Sequence, residues 1–99
     1  MKVGVIGLGR MGEGMSRRMM KQGIEVWGYR RNYAKAEEAY EAGYVSGVTT
    51  SIGLLAEELH KTGPAIFMMV VPAETVDSTL QEILEHAVEG DIILSLIHI

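Results

Sequence analysis

Short apolar runs alternate with amphipathic stretches along the whole chain. Lys2 to Gly7 is a Val/Ile run that ends at glycine, which predicts a buried strand. Arg10 to Gln22 follows as a predicted helix, with Met11, Met15 and Met19 at i, i+4, i+8 and Met20 widening the stripe. Gly23 is placed to close it. Ile24 to Tyr29 predicts a second strand, and the Ala/Glu/Lys-rich stretch Ala34 to Ala42 a second helix ended by Gly43. Tyr44 to Val48 predicts a short third strand. Thr50 or Ser51 can cap a helix to about His60, with Leu54, Leu55 and Leu59 as its apolar face. Pro64 to Val71 holds the continuously apolar AIFMMVV, as in a strand buried on both faces. Ala73 to Val88 carries Val76, Leu80, Ile83, Leu84 and Ala87 at helical spacing, and Gly90 stops it. Asp91 to about Leu96 predicts a fifth strand.

Strict β-α alternation with short connections predicts an α/β fold, a doubly wound parallel sheet of about five strands with helices on both faces. In such a sheet, ligands bind beyond the carboxyl ends of the strands, near the point where strand order reverses.

The first such end carries Gly7-Leu8-Gly9-Arg10-Met11-Gly12, a G-x-G-x-x-G match with a strand before it and a helix after it. Gly7 permits the tight turn, Gly9 leaves room for a pyrophosphate against the backbone, and Gly12 lets the helix pack on the strand. The free N–H groups and positive dipole end of the helix face the phosphates. In this context the motif predicts a Rossmann-type dinucleotide site, against the alternative of a glycine turn with no ligand. Gly14 lies outside the motif, and close packing is its expected role.

About 20 positions on, where an Asp or Glu would accept from the ribose hydroxyls of NAD, the chain has Arg30, Arg31 and Asn32, and no carboxylate until Glu37. Guanidinium groups bind phosphate in bidentate fashion. With Arg10 at the same edge, the pattern predicts a 2′-phosphate site and NADP, with NAD left open. Arg31 is the expected direct contact; Arg30 stacks on the adenine or faces solvent.

Composition narrows this little further. Ninety-nine residues make one domain. The net charge of −4 gives no basic face for a nucleic acid. There is no cysteine, hence no disulfide or thiol nucleophile, in keeping with a cytoplasmic protein. No stretch approaches the roughly 18 apolar residues of a membrane span, and the N-terminus is not a signal peptide. His60, His86 and His98 stand alone, so no metal site is expected. Glu37-Glu38 and Glu57-Glu58 read as solvated helix faces, and Ser51, Ser78 and Thr79 as caps or helix residues. The methionines read as core filler, and Trp27 as a strand residue able to report binding. No residue is assigned a catalytic role.

MKVGVIGLGRMGEGMSRRMMKQG, VWGYRRN and GPAIFMMVVPAETVD followed by EGDIIL resemble the N-terminal domain of 6-phosphogluconate dehydrogenases, in the short bacterial, decarboxylating branch of the β-hydroxyacid dehydrogenases. The resemblance covers residues 1 to about 94. It implies that Gly7 to Gly12 hold the pyrophosphate, that Arg30 to Asn32 hold the adenosine end, and that Val70, Val71, Pro72 and Ala73 line the nicotinamide-side ribose. It also implies an NAD(P)-dependent oxidoreductase of the pentose phosphate pathway, homo-oligomeric and acting on a sugar-acid phosphate. The family's Gly-Gly-Asn turn after GDIIL is replaced by SLIHI, and the family's catalytic and helical portions do not follow. Residues 95–99 are therefore expected to be a non-native or truncated tail, the fragment to be inactive by itself, and its fifth strand to be poorly covered. A hydroxyisobutyrate-type dehydrogenase and a non-catalytic nucleotide-sensing module are the alternatives.

Overall fold

A computed structural model describes residues 2–7 and 10–95, without the side chains of Arg10 and Met11. The elements follow the expected order: β1 (Lys2–Ile6), α1 (Arg10–Lys21), β2 (Glu25–Tyr29), α2 (Tyr33–Glu41), β3 (Gly47–Thr49), α3 (Ile52–His60), β4 (Ile66–Met69), a 3-10 turn (Ala73–Thr75), α4 (Val76–His86) and β5 (Ile92–Ser95). The strands form one sheet in the order β3-β2-β1-β4-β5. All four pairings are parallel, with Val5 opposite both Gly28 and Met68 at the centre. Strand order reverses between β1 and β4, so the Rossmann-type α/β fold is present with its switch point beside Gly7.

Alternation along the strands divides the core in two. Ile6, Phe67 and Met69 point toward α3 and α4 and pack with Leu55, Leu59 and Ile83. Val3, Val5 and Val26 point the other way, toward Met15, Met19 and Met20 of α1 and Ala39 of α2. Met15, Met19, Met20, Met68 and Met69 thus pack in the core, as expected, while Met1 and the Met11 side chain lie outside the described residues. Caps fall where short polar side chains allow: Ser51 Oγ accepts from Leu54 N at 3.3 Å, and Asn32 Oδ1 accepts from Lys35 N at 3.1 Å.

Several expectations need correction. Leu54 is exposed, because the buried face of α3 is Ile52, Leu55, Ala56 and Leu59, at i, i+3, i+4, i+7. Leu84 is likewise exposed beside the fully buried Ile83. α4 begins at Val76 rather than Ala73: Thr75 donates through both its N–H and its Oγ1 to Pro72 O, closing a separate 3-10 turn. β4 is shorter than the apolar run: the strand ends at Met69, although Val70 N still bonds to β1 and the Val70 and Val71 side chains enter opposite core clusters. Glu58 is not a solvated residue: it takes Lys2 at 3.3 Å and Lys61 at 2.7 Å, tying α3 to the start of β1. His60 is not isolated either; its Nε2 lies 2.8 Å from Asp91 Oδ2.

β5 is thinly covered, as expected. Ile93 packs on the α3–α4 side, whereas Ile92 and Leu94 on the other face are exposed. Ser95 ends the strand opposite Met69, and positions 96–99 of the proposed tail lie outside the described residues.

Gly14 overturns the packing explanation. A Cβ built there meets no described atom within 4 Å. The position is exposed helix interior, where glycine costs about 1 kcal/mol against alanine. Gly14→Ala is therefore expected to stabilise the protein by about 0.5–1 kcal/mol, raising Tm by roughly 2–8 °C. Thermal melts of the pair check this, and a lowered Tm would show an unseen neighbour.

Candidate dinucleotide-binding site

The site is built from two strand ends that the switch point brings together. Gly7 leaves β1 with φ +98°, in the region that favours glycine. A Cβ there would lie 2.2 Å from Val70 O and 3.1 Å from Val71 Cγ1. Val70 N in turn donates to Ile6 O at 2.8 Å, so the glycine turn and the loop after β4 are locked against each other. Gly12 faces the same turn: its Cβ would sit 2.4 Å from Gly7 O. Only with glycine at both places can the first turn of α1 come down on the end of β1, aiming its free N–H groups across the sheet edge. Leu8, Gly9 and the side chains of Arg10 and Met11 lie outside the described residues.

The loop after β4 offers mostly backbone and rim. The Val70 and Val71 side chains are buried in the core, whereas Pro72 and Ala73 are exposed beyond the strand end. What borders the glycine turn is thus the Val70 backbone and Val71 Cγ1.

Beyond β2, the three residues expected at the adenosine end do different things. Arg31 is exposed. Asn32 gives its side-chain oxygen to the N-terminus of α2, a structural duty its spacing before the helix could have signalled. Arg30 is half-buried rather than facing solvent; its N–H donates to Thr49 O at 3.1 Å, and its Nε is shielded without a hydrogen-bond partner. It lines a cleft of about 270 Å³ between α1 and α2, together with Glu13, Lys35, Glu38 and Tyr44. Sequence reasoning missed this cleft, because its members come from three elements at no fixed spacing. A larger groove of about 420 Å³ lies at the β3 edge among Tyr33, Tyr40, Val48 and Leu54, two strands from β1, and holds none of the expected site residues.

Trp27 is displaced from the site. Its Nε1 donates to Glu25 Oε2 at 2.7 Å, toward the start of β2, and its ring covers Gly47 of β3. The indole faces away from the glycine turn, so calorimetry is the better measure of binding. Among the described residues no three His, Cys, Asp or Glu side chains gather as a metal site. Among the described residues no helix is long and apolar enough to cross a membrane.

Residues 2–97 match the family model described as the NAD binding domain of 6-phosphogluconate dehydrogenase. The chain belongs to this family. A putative 6-phosphogluconate dehydrogenase of Bacillus subtilis, YqeC, is 32% identical over 95% of this chain and 30% of its own length. The NADP(+)-dependent, decarboxylating 6-phosphogluconate dehydrogenase of the same organism is 32% identical over 94% of this chain and 20% of its own length. Among solved structures, Synechocystis arogenate dehydrogenase superposes with a TM-score of 0.84 at 25% identity, over 97% of this chain and 32% of that one. The chain spans a third or less of the length of each of these dehydrogenases. It has the family's nucleotide-binding domain, and the domain's glycine turn is built for close backbone approach.

Proposed function

We propose that this chain binds NADP in preference to NAD, as the cofactor domain of a decarboxylating 6-phosphogluconate dehydrogenase. The observation that carries the cofactor choice is the end of β2, where Arg30 and the exposed Arg31 stand in place of a carboxylate. A 2′-phosphate there meets guanidinium donors instead of repulsion. The named NADP(+)-dependent relative supports the same direction. The free N–H groups of the first turn of α1 take the pyrophosphate, and the backbone at 70–73 borders the nicotinamide side. In sequence, Leu8, Gly9, Arg10 and Met11 are the remaining cofactor-binding positions of the motif between Gly7 and Gly12. The bound dinucleotide supplies hydride chemistry; these residues bind and orient it and hold no acid/base group against a substrate. Turnover of a sugar-acid phosphate belongs to the whole enzyme, which we place in the cytoplasm.

Arg31→Asp tests the reading. Calorimetric titration is expected to show NADPH affinity falling at least tenfold while NADH affinity stays within about threefold, since only the phosphate depends on the guanidinium. Equal losses for both dinucleotides would remove the specificity claim.

A further inference from the structure

The α1–α2 cleft carries a charge pattern that the binding motif does not explain. Arg30 and Lys35 share it with two carboxylates, Glu13 and Glu38. Among the described residues none of the four forms an ion pair within 4 Å, and the Arg17 guanidinium lies 4.2 Å from the ring centroid of Tyr44, which also lines the cleft. Arg30 enters from the end of β2, with its Nε shielded and unpartnered. Glu13 enters from the first turn of α1, one residue past Gly12, and is half-buried; Glu38 lies further along α2 and is exposed. Of the two acids, Glu13 is therefore the one set at the glycine turn.

We propose that Glu13 is a specificity-determining residue that holds down the preference for the 2′-phosphorylated dinucleotide. This rests on the binding reading above. A 2′-phosphate carries about −1.5 to −2 charges at neutral pH, by the ordinary behaviour of a phosphate monoester. Placed at the end of β2, it is repelled by the Glu13 carboxylate, and that carboxylate offsets the Arg30 guanidinium on the same side. The 2′-hydroxyl of NAD carries no charge and is indifferent to Glu13. Arg31, exposed and outside the cleft, is left as the uncompensated cation. The preference for NADP is thus a balance of Arg31, Arg30 and Lys35 against Glu13 and Glu38 rather than the simple sum of the arginines.

Calorimetric titration of NADPH and NADH into wild type, Glu13→Gln, Glu13→Asp and Arg31→Asp tests it. Glu13→Gln is expected to bind NADPH roughly three- to tenfold more tightly, as a unit charge acting across several ångströms of partly solvated cleft should. NADH affinity should stay within about twofold. The gain should shrink in high salt, and Glu13→Asp, which keeps the charge, should stay near wild type. Melting curves for each variant separate these effects from loss of fold. If Glu13→Gln moves both dinucleotides equally or neither, while Arg31→Asp still separates them, Glu13 has no specificity role and the binding reading stands. If wild type binds neither dinucleotide, the binding reading falls and this inference with it.

Discussion

Gly7→Ala is expected to destabilise the protein by about 2–6 kcal/mol and to abolish dinucleotide binding. Two independent costs combine. An alanine held at φ +98° sits outside the usual L-residue regions, a strain of roughly 1–3 kcal/mol. Its Cβ would also lie 2.2 Å from Val70 O, a backbone atom that cannot rotate away, and forced overpacking adds roughly 1–3 kcal/mol. A domain of this size has about 5–15 kcal/mol in total, so the variant sits near the edge of folding. Gly12→Ala meets Gly7 O at 2.4 Å but carries no left-handed φ, so its cost should be smaller. Gly14→Ala should stabilise. Urea denaturation of the three variants is expected to rank them in that order. A Gly7→Ala unfolding free energy within about 0.5 kcal/mol of wild type would mean that the turn relaxes freely and is no fixed cradle.

That series separates what the chain shows by pattern from what only packing reveals. The β-α alternation, the sheet and the Gly7 and Gly12 turn were readable because each rests on local rules: apolar period, caps and a motif with strand and helix on either side. Leu54 and Leu84 misled because a run of adjacent leucines does not say which one faces the sheet; a helix turns about 100° per residue. Gly14 misled because a glycine inside a helix suggests close packing, and only the empty space around it shows otherwise. The Glu13–Arg30 cleft and the Lys2–Glu58 and His60–Asp91 pairs join residues far apart in the chain, 56 positions apart for Lys2 and Glu58. No spacing rule reaches such contacts. Beyond β2, the arginines were readable as a group, but their division between a shielded Arg30 and an exposed Arg31 depends on which way the chain delivers each side chain.

Asp91 is the other residue whose loss should be severe, and for the opposite end of the sheet. Its side chain is 3% exposed, and its two oxygens accept from Ala65 N at 2.7 Å, Val88 N at 2.9 Å and His60 Nε2 at 2.8 Å. A carboxylate only accepts, so Nε2 carries the shared proton. One side chain thereby joins the end of α3, the start of β4 and the loop entering β5. Asp91→Ala strands two backbone donors and should cost about 3–5 kcal/mol. Asp91→Asn keeps the shape but turns an NH₂ toward a donor, and should cost less, about 1–3 kcal/mol. Burial pushes the Asp91 carboxyl up, yet the Ala65 and Val88 N–H groups and His60 together outweigh it and hold the carboxyl below its usual range. A depressed folded value means that the ionised form stabilises the fold. That contribution is complete above the unfolded value of about 3.9 and is lost as pH falls through the folded value. Wild type should therefore lose stability below about pH 4, and Asp91→Asn should lack that part of the slope. Melting curves from pH 3 to 8 check both; an unchanged acid slope in Asp91→Asn would assign the titration to another carboxylate. Because Asp91 lies at the strand ends opposite Gly7, the ratio of NADPH to NADH affinity should be the same in Asp91→Asn as in wild type, which distinguishes loss of this fastening from damage to the cradle.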